Sequence, residues 1–206
     1  MTVADAFRVP YLSYEDIRRY AEAFLDQHHP DRSPPIPIED IIEFKLGLDI
    51  VPLPGIEDAY GIVGFTSSDL REISVDDYVY THQEGRYRFT LTHEVGHTVL
   101  HAEVFRAHRF RSTTEWKQFI QSVPELEYSW LEWQASSFSG LVLVPRAALE
   151  RELKQAIKQV KAQGVAQATD FANDLLADLV ARRFVVSADV IRTRLHYDQI
   201  DLASLW

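Results

Sequence analysis

The stretch Arg88–His101, RFTLTHEVGHTVLH, contains two histidines and a glutamate within a segment that reads as one helix. His93 and His97 are four residues apart, so on a helix they lie on one face, one turn apart, and both imidazoles can bind the same metal ion. Glu94 is rotated off that face, which suits a role beside the metal rather than on it. The pattern predicts half of a metal site. The alternative is a helix with two buried, hydrogen-bonded core histidines.

The remaining residues of this stretch indicate a helix that packs against protein on the side opposite the histidines. Leu91, Val95 and Val99 form an apolar ridge on that side. Gly96 costs a helix about 1 kcal/mol relative to alanine, so we expect another backbone to approach closely at this position.

A zinc ion held by the two histidines would explain the glutamate between them. Zinc lowers the pKa of its bound water to about 7, and the carboxylate of Glu94 can then take a proton as the water attacks a peptide carbonyl. The same carboxyl group afterwards passes the proton to the leaving amine. Glu94 is therefore the candidate general base of a metallopeptidase.

A catalytic zinc site needs a third protein ligand. The metzincin pattern fails here, because Leu100 and Glu103 stand where that pattern requires glycine and histidine. His101 continues the four-residue series, but each such step rotates by about 40° around the helix, so a third histidine closes poorly on one ion. We expect His101 to hydrogen-bond beside a ligand or in the core.

The better candidate for the third ligand is Glu132, in the downstream stretch LEWQASSFSGLVLVP. A face carrying this glutamate and then only small residues lets a second helix lie close to the first and bring the carboxylate to the metal. Its alternative is an ordinary surface carboxylate. Glu125 and Glu127 are typical of a first helical turn. The small residues are Ala135, Ser136, Ser139 and Gly140, and the predicted core anchors are Trp130, Trp133 and Phe138.

These two stretches together resemble the ImmA/IrrE family of metallopeptidases. In that family, a phrase of the type F-T-x-x-H-E-x-G-H-x-x-x-H precedes E-x-x-A-x-x-F-x-x-x-L-x-x-P. The segments PIPIEDIIEFKLGLDI, ISVDD and FVVSADVIRTRL are also similar to the family, so the resemblance covers roughly residues 14–200. It implies a gluzincin arrangement with His93, His97 and Glu132 as metal ligands and Glu94 as general base. Ser136 stands where relatives often carry Asn or Asp, which can support a ligand histidine.

The resemblance also implies a function. It predicts a zinc endopeptidase, with manganese as a possible metal, whose protein substrate is a helix-turn-helix repressor. The alternative is a metal-binding regulatory or toxin–antitoxin-type interaction protein without hydrolytic activity. An exopeptidase acting on short peptides is a third reading, and it would need a charged pocket for a chain terminus. The intact Glu94 favours the enzyme, because a purely structural site has no need of a carboxylate base.

The composition limits which metal ligands, partners and cellular locations we expect for the protein. The absence of cysteine excludes disulfides and thiolate metal sites, so any metal must be held by His, Asp or Glu. With 21 basic and 31 acidic residues the net charge is −10, and no dense Lys/Arg block is present, so direct binding of nucleic acid is disfavoured. Neither a signal peptide nor a membrane span of roughly 18 apolar residues is evident. We expect a soluble, cytoplasmic protein.

The order of elements predicts an α+β fold. We expect a small mixed or antiparallel sheet packed on the H-E-x-x-H helix, zincin-like, with helical N-terminal and C-terminal parts. The predicted domains are a metallopeptidase domain over residues 1–144 and a helical subdomain over 145–206. Strands are predicted in YGIVGF (60–65) and REISVDDYVY (71–80), joined by a turn at residues 67–69. Helices are predicted at 14–29, before Gly47, and at 125–141, 146–162, 169–182 and 187–197.

Two features remain open from the sequence. The strand containing ISVDD, if it lies at the sheet edge above the cleft, can pair with an extended substrate; otherwise it is an ordinary internal strand. A peptidase also needs a donor that stabilises the tetrahedral oxyanion. The candidates, among which the sequence does not choose, are Tyr60, Tyr78, Tyr80, Tyr87, His82, Tyr128 and His101.

Overall fold

The computed structural model of this chain describes residues 8–67, 69–107, 121–164 and 169–206, together with positions 115 and 118. The first half contains, in order, α1 (Tyr14–His28), α2 (Ile38–Asp40) continued by a π-helical turn (Ile41–Leu46), β1 (Asp49–Leu53), α3 (Ile56–Tyr60), β2 (Gly64–Thr66), β3 (Glu72–Asp76) and α4 (Asp77–His82). The remainder contains α5 (Glu84–Leu100), α6 (Ala102–Ala107), α7 (Glu125–Leu143), α8 (Arg146–Ala162), α9 (Asp170–Phe184), α10 (Ala188–Tyr197) and a 3₁₀ turn (Leu202–Leu205).

The predicted α+β class is confirmed, with helices dominating a small mixed sheet. The strand order is β1-β3-β2, in which β1 runs parallel and β2 antiparallel to β3. Both β2 and β3 pack against α5, so the sheet covers one side of the helix that carries the histidines. The strand ISVDD is therefore the centre of the sheet rather than its edge, and it is not open to an added strand.

Two strand predictions are wrong in their extent. The second predicted strand ends at Asp76, because the side chain of Asp76 accepts hydrogen bonds from the backbone N–H groups of Tyr78 and Val79 and so begins helix α4. This cap starts a helix at residues 77–80, where the alternation of apolar residues predicts a strand. The first predicted strand begins only at Gly64, because Tyr60 ends helix α3 and Gly61 follows it in a left-handed conformation.

Most predicted helices are confirmed within two residues of their ends. The start of α1 shows the local signal that such a prediction uses. Ser13 accepts a hydrogen bond from the backbone of Asp16, whose carboxylate accepts in return from the backbone of Ser13. This reciprocal cap satisfies donors that the first turn of a helix otherwise leaves unpaired. Ile17, Ala21 and Phe24 then face the core, where α1 packs against α7.

Helices α5 and α7 form the most extensive helix pair of the described structure. A Cβ atom added to Gly96 would lie 3.2 Å from both the Cα and the carbonyl oxygen of Ala135, which confirms the predicted close approach. Leu91 and Val95, which belong to the apolar ridge predicted for α5, are fully buried. The missing side chain at Gly96 therefore sets how near α7 lies to the histidines.

We predict that Gly96→Ala lowers the free energy of unfolding by about 1–3 kcal/mol, the usual cost of overpacking a core. The new methyl group meets backbone of α7, which cannot rotate away as a flexible side chain does. The matched control is Gly85→Ala in the same helix, where the nearest atom is at an ordinary 3.5 Å. The control should be neutral or stabilising. Chemical denaturation of both variants measures the difference; equal stabilities would contradict the packing argument.

Across the described ranges, no helix combines the length and apolarity required to cross a bilayer.

Candidate metal centre

Helix α5 presents His93 and His97 on one face, and α7 brings Glu132 to them. The Nε2 atoms of the two histidines lie 3.0 Å apart. One carboxylate oxygen of Glu132 lies 3.2 Å from Nε2 of His93, and the other lies 3.6 Å from Nε2 of His97. The structure thus brings together the three side chains that the sequence suggested as ligands, although 35 residues separate Glu132 from His97 along the chain.

Glu94 lies beside this group and is held by a strand. The hydroxyl of Thr66, in β2, donates a 2.8 Å hydrogen bond to Oε2 of Glu94. Both side chains are buried. Ligand atoms of His93, Glu94 and His97 also lie within 4.8 Å of one another. Thr66 was not found from the sequence, because no spacing rule relates a strand residue to a helix 28 positions later.

Further hydrogen-bond partners lie at Nδ1 of His93 and Nδ1 of His97, the ring nitrogens that do not face Glu132. Nδ1 of His93 lies 3.3 Å from the hydroxyl of Ser136, the contact that the family resemblance implied. Nδ1 of His97 lies 3.1 Å from Nδ1 of His101, whose Nε2 lies 2.9 Å from the side-chain oxygen of Gln134. His101 is 1% exposed, so the prediction of a core hydrogen-bonding histidine is confirmed.

The charges of the site favour an ionised Glu132. Burial by itself raises the pKa of Glu132, but hydrogen bonds from His93 and His97 and their charges outweigh it and hold the pKa of this carboxyl well below its usual range. Burial likewise lowers the pKa of His93, while the hydrogen bond and charge of Glu132, with the charge of Glu94, raise this pKa overall. Burial, together with the charge of His97, lowers the pKa of His101 to about 3, so this imidazole is neutral.

The histidines open onto a cleft of about 330 Å³. Of the tyrosines and histidines considered as oxyanion donors, Tyr128 lines this cleft. Burial, followed by the charges of Glu132 and Glu94, raises the pKa of Tyr128 to about 12, so its phenol keeps its proton and can donate a hydrogen bond. One wall of the cleft is formed by residues 61–64, which lead into the edge strand β2, and Ile62, Val63, Phe89 and Leu131 supply apolar surface.

The small residues of α7 pack against two helices, α5 and α10, rather than against α5 alone. Ala135 meets Gly96, and the hydroxyl of Ser139 donates a 3.0 Å hydrogen bond to the carbonyl of Phe89, so both lie against α5. Gly140 instead faces the side chain of Arg194 in α10. Phe138 is fully buried as predicted, whereas Trp130 is 43% exposed and does not anchor the core. Trp130 instead contacts the ring of Tyr11, with 5.6 Å between ring centroids.

Comparison with known protein families bears directly on this arrangement. The family model described as the IrrE N-terminal-like domain, a peptidase family, matches residues 78–196, more than half of the chain. The chain belongs to this family. The ImmA/IrrE resemblance noted from the sequence motifs is thereby confirmed. The matched range contains all of α5 and α7, and it extends through most of α10.

Membership of the IrrE-like peptidase family has two consequences. It indicates a peptidase, and therefore a protein or peptide substrate. Together with the cluster of His93, Glu94 and His97, it indicates a divalent metal as cofactor. A search of curated proteins gives no match to the chain.

Proposed function

We propose that this chain is a zinc-dependent endopeptidase of zincin-like architecture that cleaves a specific regulatory protein, such as a helix-turn-helix repressor. The observation that carries the proposal is the convergence of His93, His97 and Glu132 on one point, with Glu94 beside it in the same cleft. The repressor as substrate follows from the family resemblance, and manganese is a possible alternative metal.

The donor set suits zinc. Atoms about 2.0–2.1 Å from a tetrahedral zinc ion are roughly 3.3 Å from one another, and the three separations of 3.0, 3.2 and 3.6 Å are close to that value. Two imidazoles and a carboxylate also form a known set of three protein ligands for catalytic zinc. With no cysteine in the chain, softer thiolate sites do not compete.

Two carboxylates lie near the histidines, and their contacts favour different roles. Glu132 reaches both Nε2 atoms, one with each oxygen, which suits a metal ligand. Glu94 has one oxygen engaged by Thr66 and lies beside the histidine pair, which suits a base. We therefore assign Glu132 as the third ligand and Glu94 as the general base.

A zinc ion held by His93, His97 and Glu132 would supply Lewis acidity, which would lower the pKa of water to about 7. Glu94 takes a proton from the attacking water as the oxygen of that water forms a bond to the peptide carbonyl carbon. Glu94 then gives this proton to the leaving amine as the C–N bond breaks, so the carboxylate is regenerated. Thr66 holds the carboxylate in position, and the Tyr128 phenol is placed to donate toward the cleft.

We predict that Thr66→Val lowers the cleavage rate roughly 10- to 100-fold without unfolding the protein. A hydrogen bond to a charged group contributes about 1.5–3 kcal/mol, and valine fills the same space without the hydroxyl. Thr92→Val is the matched control, because the buried hydroxyl of Thr92 donates only to the backbone of its own helix. Equal rates for the two variants would show that Thr66 does not position Glu94.

The experiment that tests the proposed function is incubation of the zinc-loaded protein with purified helix-turn-helix repressors from the same organism. Mass spectrometry of the products should find one new peptide bond broken, and a chelator should prevent the cleavage. An intact repressor that forms a stable complex with the protein would support instead a metal-binding interaction protein without hydrolytic activity.

A further inference from the structure

A buried chain of hydrogen bonds connects the N-terminal arm, residues 8–13, to the candidate ligand His97. The side-chain nitrogen of Gln134 donates a 2.9 Å hydrogen bond to the carbonyl of Pro10. The oxygen of the same amide lies 2.9 Å from Nε2 of His101, and Nδ1 of His101 lies 3.1 Å from Nδ1 of His97. Gln134 is fully buried. This series of hydrogen bonds ends on Nδ1 of His97, whose Nε2 faces His93 and Glu132.

The directions of the first two hydrogen bonds follow from the contact with Pro10. A backbone carbonyl only accepts hydrogen bonds, so the amide nitrogen of Gln134 must face Pro10 and its oxygen must face His101. Nε2 of His101 must then carry a hydrogen. His101 is 1% exposed, and burial disfavours the charged form of its ring, so Nδ1 of the neutral ring accepts and Nδ1 of His97 donates to it.

We propose that the N-terminal arm, Gln134 and His101 are positioning groups that fix the tautomer of the neutral His97 ring. They keep its hydrogen on Nδ1, so that Nε2, the nitrogen facing Glu132, is the one that gives up its proton and offers a lone pair. Only a nitrogen with a lone pair binds a metal ion, so this tautomer is the one the site requires. The inference rests on the proposed function for its purpose, although the tautomer itself is a property of the protein alone.

The arm has its own attachment, which allows it to be perturbed separately. The carboxylate of Glu127 accepts a 2.7 Å hydrogen bond from the backbone N–H of Val9 and pairs with Arg8 at 3.2 Å. Glu127 lies near the start of α7, the helix that carries both Glu132 and Gln134. Loss of this attachment leaves the arm held by the ring contact of Tyr11 with Trp130, so the carbonyl of Pro10 becomes more mobile. The amide of Gln134 is then able to rotate by 180° and reverse the direction of the hydrogen bonds.

Two variants and one control test the proposal. Gln134→Leu removes the amide, and Glu127→Ala combined with Trp130→Ala removes both attachments of the arm while leaving Gln134, His101 and His97 unchanged. The control is Ser139→Ala, which removes a buried hydroxyl of the same helix that bonds to Phe89 outside the chain. Long-range ¹H–¹⁵N NMR spectra of metal-free protein report the tautomer of His97, and competition with a chelator gives the dissociation constant for zinc.

The wild-type protein and Ser139→Ala should show His97 with its hydrogen on Nδ1. In Gln134→Leu the Nε2–H tautomer of His97 should become populated, and the affinity for zinc should fall about 10- to 100-fold, as expected when an outer partner of a metal ligand is lost. Glu127→Ala combined with Trp130→Ala should give a smaller change in the same direction. If Gln134→Leu does not fold, this double variant decides the question by itself.

An unchanged tautomer of His97 in the folded variants would overturn the proposal. Because the tautomer is measured without metal, this result is independent of whether the site binds zinc. A protein that binds no zinc but shows the expected change of tautomer would reject the proposed function and leave the positioning role intact.

Discussion

Glu94→Gln is expected to leave zinc binding unchanged and to lower the rate of peptide-bond cleavage by about 10²- to 10⁴-fold, the usual contribution of a general base. Glutamine has the same shape, and its oxygen can still accept the hydrogen bond from Thr66. It cannot take a proton from water at neutral pH. The measurement is single-turnover cleavage of the repressor that the wild-type protein cleaves, together with the zinc content of the same sample.

One control variant and two alternative outcomes make the Glu94→Gln result decisive. The exposed Glu103→Gln, just beyond the end of α5, controls for the loss of one negative charge near this helix. If Glu94→Gln keeps all biological activity of the wild-type protein, hydrolysis is not the function, and the metal-binding interaction protein becomes the better account. A loss of zinc in Glu94→Gln would instead place Glu94 among the ligands.

Glu132→Ala is expected to weaken zinc binding by more than the roughly 10- to 100-fold that accompanies loss of an outer partner. The reason is that Glu132 contacts both Nε2 atoms, so its removal takes away a direct donor and a negative charge that lies against both histidines. Equilibrium competition with a chelator measures the dissociation constant, and cleavage should disappear at zinc concentrations that saturate the wild-type protein.

The control for Glu132→Ala is Glu125→Ala, at the exposed first turn of the same helix. It removes an equal charge from α7 and should leave zinc affinity unchanged. If Glu132→Ala binds zinc as tightly as Glu125→Ala does, a different group supplies the third ligand. Glu94, whose carboxylate lies near the same histidines, is then the first candidate.

Much of the candidate site was predictable because helical periodicity relates its parts. The four-residue spacing placed His93 and His97 on one face, and Gly96 together with Ala135 indicated where two helices approach closely. Glu132 stood out because small residues follow it on the same face. Each of these inferences used the spacing of residues along one helix, either α5 or α7, where geometry is nearly independent of the rest of the fold.

The contacts that the sequence did not predict join distant segments. Thr66 reaches Glu94 from a strand, and Gln134 reaches the carbonyl of Pro10 across 124 positions. Residues 77–82 formed a helix instead of extending a strand because one side chain, Asp76, capped the backbone. The central position of β3 likewise depended on pairing between separate strands. The division of the chain at residue 144 into two domains stays a prediction.

The most direct test of the central claim is the metal content of the purified protein, measured by elemental analysis after reconstitution with zinc and removal of unbound ions. The account predicts one zinc ion per chain in the wild-type protein and substantially less in a variant lacking Glu132. A wild-type protein that retains no divalent metal, with either zinc or manganese, would contradict the assignment of His93, His97 and Glu132 as a metal centre.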